Sequence, residues 1–139
     1  MTPDDQVPAA CTAALADSKG LVSAYLFGSV AEGRAHRESD IDVGVLLDRA
    51  HFPDQTARFE ARLRLIGTLE AAIGRPVDLV ILNDAPPHLA RHVMTRGRRL
   101  LVVDRHLDHA HLRTVCSRAA DLEPFLRRMR AIKLEVLTR

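Results

Sequence analysis

The chain has 139 residues, 47% of them hydrophobic, which suits one domain with a packed core and argues against disorder. Lys and Arg total 20 against 18 Asp and Glu, so the net charge of +2 gives no general pull toward nucleic acid or membrane. With no Trp, one Tyr and four Phe there is little to stack on exposed bases, and no direct nucleic-acid binding is expected.

The first residues, MTPDDQVPAA, have no basic start and no apolar stretch, so they do not read as a signal peptide. No apolar run approaches the ~18 residues a membrane span needs, and a cytoplasmic protein without a membrane partner is expected. Residues 8–18 predict a short helix opening after Pro8. Leu21 to Phe27, LVSAYLF, predicts a buried strand that Gly28-Ser29 breaks. Residues 40–47, DIDVGVLL, predict a second strand. Residues 52–73 predict a helix, with Phe52, Phe59, Leu63, Ile66, Leu69 and Ile73 on one face, ended by Gly74 and Pro76. Residues 77–82, VDLVIL, predict a third strand. Pro86-Pro87 opens a further helix that Gly97 closes, and residues 100–103 predict a fourth strand. The remainder predicts helix, broken or kinked near Pro124. The class is therefore α/β, a small mixed sheet flanked by helices. Residues 1–103 form the core, and residues 104–139 form a C-terminal helical extension of the same domain. That extension holds eight Lys or Arg and five Asp or Glu, so the basic excess is local to it. Within it Leu122, Phe125, Leu126, Met129, Ile132, Val136 and Leu137 keep near one helical face, which either packs on the chain's own sheet or docks a partner.

The informative stretch is GSVAEGRAHRESDID, Gly28 to Asp42. Gly28 lacks a Cβ, so a ligand can approach the backbone. Ser29 can cap a following helix or hydrogen-bond a phosphate, and a helix N-terminus suits a triphosphate. Alone, this is an ordinary capped turn. Asp40 and Asp42, however, stand two apart in a strand, so both carboxylates face one side while Ile41, Val43 and Val45 fill the core on the other. Gly44 is expected to leave space beside them. Two adjacent carboxylates repel, and a divalent cation compensates. Asp78, inside the apolar third strand, either pairs with Arg75 or another Arg, or completes a three-carboxylate cage for Mg²⁺ or Mn²⁺. Two such ions could clamp an in-line phosphoryl displacement.

The pattern Gly-Ser, ten residues, Asp-Ile-Asp resembles the GSx10DxD signature of the DNA polymerase β-like nucleotidyltransferases. The segments RPVDLVIL, APPHL and MTRGRRLLV resemble the minimal nucleotidyltransferase branch (MNT, MntA-like antitoxins), over residues 20–104. The resemblance implies the polymerase β-like fold, triphosphate binding by Gly28 and Ser29, and two Mg²⁺ ions (or Mn²⁺) held by Asp40, Asp42 and Asp78. It also implies ATP as donor and transfer of AMP to a tyrosine of a HEPN-type ribonuclease toxin, in a homo- or hetero-oligomer. Many members carry Arg where this chain has Glu32; if that Arg touches phosphate, either Arg34 or Arg37 takes its place or donor binding is weaker. A small-molecule nucleotidyltransferase of the aminoglycoside kind and a non-catalytic antitoxin are the alternatives.

Other polar residues read as structural. His88 and His92 are four apart on a helix but lack a third ligand, and His106, His109 and His111 read as helix surface. Arg96, Arg98 and Arg99 are placed at a helix end, offsetting its dipole. Cys11 and Cys116 read as two reduced, buried thiols in preference to a lone disulfide.

Overall fold

A computed structural model describes residues 2–33 and 40–138. After a single 3-10 turn at Asp4–Gln6 come α1 (Val7–Leu15), β1 (Leu21–Phe27), α2 (Gly28–Ala31) and β2 (Ile41–Leu47). Then follow α3 (Gln55–Ile73), β3 (Val77–Ile81), α4 (Pro87–Arg96), β4 (Arg98–Val102) and α5 (Arg105–Thr138). The four strands form one sheet in the order β3-β2-β1-β4. β1 runs antiparallel to both β2 and β4, while β2 and β3 are parallel, so the sheet is mixed as expected.

Strand alternation divides the core in two. On one face Val7, Cys11 and Leu15 of α1 and Ala61, Leu65, Leu69 and Ile73 of α3 pack on Ile41, Val43, Val45 and Leu47. On the other, Ala90, Val93 and Met94 of α4 and Val115 of α5 pack on Val22, Tyr25 and Leu46. Among the described residues no helix is long and apolar enough to cross a membrane.

Several boundaries differ from those the sequence suggests, each for a local reason. α3 begins at Gln55 because the Asp54 side chain caps it, accepting from the Ala57 amide at 2.7 Å. Its buried face is also turned: Phe59 and Leu63 are 55% and 52% exposed, and Arg58 and Ala61 are buried in their place. Arg58 is tolerated inside because it forms a bidentate pair with Asp84 at 2.8 and 2.9 Å and donates to the Phe52 carbonyl at 3.0 Å. Arg98 and Arg99 lie in β4, not at a helix end; only Arg96 occupies the last turn of α4. Gly97 ends that helix as expected, and a Cβ there would meet the Val93 carbonyl oxygen at 2.3 Å. α5 is capped by Asp104, which accepts from the Leu107 amide at 3.0 Å, and runs as one helix through Pro124.

Candidate active site

Three elements meet where β1 ends. Phe27, the last residue of β1, is in register with Asp42 of β2, and Asp42 is in register with Asp78 of β3. Adjacent strands lie about 4.8 Å apart, so Asp42 and Asp78 stand side by side on the α4–α5 face. Gly28 turns the chain sharply out of β1 with φ +75°, and its missing side chain is filled by Asp42: a Cβ there would lie 2.1 Å from Asp42 Oδ2. The Gly28 backbone and the Asp42 carboxylate are therefore in contact, and only glycine permits it. Ser29 is the second residue of the one-turn α2. It is not the cap, since that position is Phe27, and its half-buried hydroxyl makes no hydrogen bond among the described residues.

Burial raises the pKa of Asp42 above the usual carboxylate range, and the charges of Asp78 and Asp40 raise it further. The three acids thus sense one another as expected, but their arrangement differs from a cage. Asp40 is exposed and precedes β2 instead of lying in it. The Asp78 side chain is 57% exposed on an edge strand, with the Arg62 guanidinium at 3.9 Å. Among the described residues no three acidic, His or Cys side chains converge as a ready metal cage. The set is an open row of oxygen donors whose mutual repulsion a hard divalent cation would relieve, and in that sense it fits Mg²⁺. Gly44 does not leave space beside the acids. A Cβ there would meet Val93 at 2.7 Å and Leu82 at 3.2 Å, so the glycine admits α4 instead.

A family model for polymerase β nucleotidyltransferases matches residues 10–106, a stretch that contains the whole sheet and all three acids. The chain belongs to the polymerase β nucleotidyltransferase family. It is 42% identical over 76 residues to the protein adenylyltransferase MntA of Shewanella oneidensis, a match covering 55% of this chain and 50% of that protein. The chain thus spans about half the length of that curated relative. A crystal structure of a toxin–antitoxin with AMP-PNP superposes with a TM-score of 0.68 at 29% identity, covering 95% of this chain and 98% of the other. A structure of a tri-AMPylated Shewanella oneidensis HEPN toxin in complex with MNT antitoxin superposes at 0.63 and 25% identity, covering 99% and 100%.

For a nucleotidyltransferase of this family the unforeseen residue is Arg62. It crosses from α3 over the outer edge of β3, donates to the Leu79 carbonyl at 2.7 Å and reaches Asp78. The partner foreseen for Asp78, Arg75, is buried and paired with Asp4 instead. His111 is half-buried: its Nε2 lies 3.1 Å from the Leu82 carbonyl, and burial holds its pKa below the usual histidine value. His88 lies 3.6 Å from Glu123, while His92 is exposed, so the two do not form a metal pair. Cys11 and Cys116 are both free thiols; burial pushes Cys11 up to about 11, whereas Cys116 is only half-buried, not buried as expected. Arg34 and Arg37 lie outside the described residues.

Proposed function

We propose that this chain is an antitoxin that transfers AMP from ATP to a tyrosine hydroxyl of a HEPN-type ribonuclease toxin and so inactivates it. The observation that carries the reading is the contact between Gly28 and Asp42 beside Asp78. It puts a turn with free backbone amides against paired carboxylates, at the end of a sheet in a nucleotidyltransferase. A triphosphate on that turn would accept hydrogen bonds from the amides of α2 and from the uncommitted Ser29 hydroxyl. Asp42 and Asp78, with Asp40 at the rim, would hold Mg²⁺. Bound there, divalent cations neutralise phosphate charge and lower the cost of an in-line displacement. Asp78, the most accessible of the β-strand acids, is the group best placed to take the acceptor proton as the hydroxyl oxygen attacks the α-phosphorus and pyrophosphate leaves. The names of the relatives, a protein adenylyltransferase and antitoxins crystallised with toxins, one of them AMPylated, support protein as acceptor.

The test is transfer of label from [α-³²P]ATP to a purified HEPN-type toxin, with Mg²⁺. The wild-type protein should label the toxin. Asp40→Asn with Asp42→Asn should lower labelling at least about a hundredfold, the loss of several kcal/mol of charge stabilisation, while the protein stays folded. Ser29→Ala should weaken transfer, whereas Thr12→Ala should not, because the Thr12 hydroxyl is already spent on the Pro8 and Leu100 carbonyls at 3.0 and 3.1 Å. Full labelling by the double variant would overturn the mechanism. Labelling of small-molecule hydroxyls instead of toxin, or inhibition of the toxin with no labelling, would replace the acceptor assignment.

A further inference from the structure

β3 is an edge strand of the sheet, and α3 lies along its open side. The Pro76 carbonyl accepts from the Ile41 amide and the Leu82 amide donates to the Val45 carbonyl, so the backbone groups of Val77, Leu79 and Ile81 point away from β2. Several of these outward groups already have partners. The Val77 amide donates to Glu70 of α3 at 2.9 Å, the Leu79 carbonyl accepts from Arg62 at 2.7 Å, and the Ile81 carbonyl accepts from the Asp84 amide at 3.1 Å. The edge is thereby closed to an added strand. It is not closed to side chains. Thr56, Phe59 and Arg62 of α3 face Leu79, Val80 and Ala85 across a groove of about 530 Å³. Asp84 lies at its far end with the carboxylate held by Arg58, so the wall between the two ends is largely apolar. The rotation of α3 that buries Arg58 turns Phe59 out beside this groove, 55% exposed.

The order of the strands selects the occupant. An in-line displacement sets the entering oxygen opposite the leaving one. On the function proposed above, on which this inference rests, the leaving phosphates lie on the Gly28 turn at the end of β1. β2 stands between β1 and β3, so the entering hydroxyl comes from the side of β3 and Asp78. The groove starts there, because Arg62 both lines it and reaches to 3.9 Å from Asp78. Val80 and Ile81 stand two and three residues beyond Asp78, about 7–10 Å at the rise of a strand. A side chain seated against them therefore belongs to a residue near the modified hydroxyl, two or three extended residues or one to two helical turns away. We propose that this groove is the acceptor subsite, and that it seats an apolar side chain of the polypeptide being modified, beside Phe59. Arg62 marks the boundary between that subsite and the carboxylates.

The subsite is tested with a purified HEPN-type toxin by steady-state AMP transfer, with AMP-PNP binding and thermal melting measured alongside. Phe59→Ser removes the exposed wall, and Thr56→Arg, at another exposed position, fills the groove. Each should raise KM for toxin about tenfold and leave kcat at saturating toxin within about twofold, the signature of lost acceptor binding. The affinity for AMP-PNP with Mg²⁺ and the melting temperature should stay as in the wild type. Leu63→Ser is the control, since Leu63 is 52% exposed on the same helix and does not line the groove; its KM should not change. An unchanged KM in both groove variants, with the wild type labelling toxin, would overturn the subsite and leave the proposed function standing. An equal rise in KM for Leu63→Ser would overturn it in favour of the outer face of α3 at large. Weakened AMP-PNP binding would give the groove to the donor, and a large fall in melting temperature for Phe59→Ser would make it structural. A wild-type protein that does not label toxin would overturn the function and the subsite with it.

Discussion

The two ends of the sheet use polar residues in opposite ways. At the far end the polar groups that tie down the loops are paired, although the buried Ser23 hydroxyl, in register with Leu46 and Val102, has no partner among the described residues. Asn83 both accepts from the Leu47 amide at 2.9 Å and donates to its carbonyl at 2.8 Å, and Arg58 is gripped by Asp84 and by the Phe52 carbonyl. At the Gly28 end, Asp42 is half-buried among like charges, Ser29 has no hydrogen bond among the described residues, and the backbone takes a left-handed turn against a carboxylate. Paired groups stabilise a fold, whereas unpaired ones cost stability and are kept where a ligand completes them. One sheet thus has a structural end and a chemical end, and substitutions at the two should separate stability from activity.

The largest effect on stability belongs to the structural end. Arg58→Ala strands Asp84 and the Phe52 carbonyl and should cost about 3 kcal/mol. That should appear in calorimetry as a fall of about 10 °C in Tm, with AMP transfer per folded molecule unchanged. Loss of transfer without loss of stability would break the division between the two ends.

Next comes Gly28→Ala at the chemical end. The added methyl meets Asp42 Oδ2 and the backbone sits at φ +75°, so about 1–3 kcal/mol of stability should be lost together with transfer. Gly67→Ala is the matched control, because a Cβ on that helical residue meets nothing within 4 Å. It should raise stability by up to about 1 kcal/mol and leave activity alone, as urea midpoints will record.

The smallest effect is the most specific. The Asp42 carboxyl is raised above its unfolded value, so the folded protein binds its proton more tightly. The penalty of ionising it is absent below the unfolded pKa, grows as pH rises through the folded pKa and is complete above that. Asp42→Asn should therefore slightly raise the Tm of the metal-free protein at neutral pH and lose that advantage on acidification. A benefit independent of pH would mean that ionisation of Asp42, disfavoured first by burial and then by the charges of Asp78 and Asp40, is not the cause.

The chemical end was largely legible in the sequence because strand alternation is a local rule. Asp42 among Ile41, Val43 and Val45 could face only one way, and glycine before serine marked the turn. What was not legible depended on contacts distant in sequence. The phase of α3 looked set by Phe59 and Leu63, yet the pairing of Arg58 with Asp84, 26 residues on, decides which face turns inward. The same rotation leads Arg62 over β3 to Asp78, a partner that hydrophobic periodicity cannot reveal. β4 begins two residues early because Arg98 and Arg99 pair with Leu26 and Tyr25, and charge made them look like a helix end. The apolar stripe on α5 was visible as a pattern, but its exposure was not. Periodicity reports an apolar face without saying what lies against it.

The Tyr25 hydroxyl donates to the Asp108 carboxylate at 2.6 Å, with both side chains buried, and its pKa is pushed up to about 12 by burial and by that acceptor. Tyr25 stands three residues before Gly28 on β1, and Asp108 stands in the first turn of α5. The foot of the long helix is thus bolted to the strand that delivers the glycine turn. Any tilt of that helix is therefore passed, through one buried hydrogen bond, to the strand that ends beside the carboxylates.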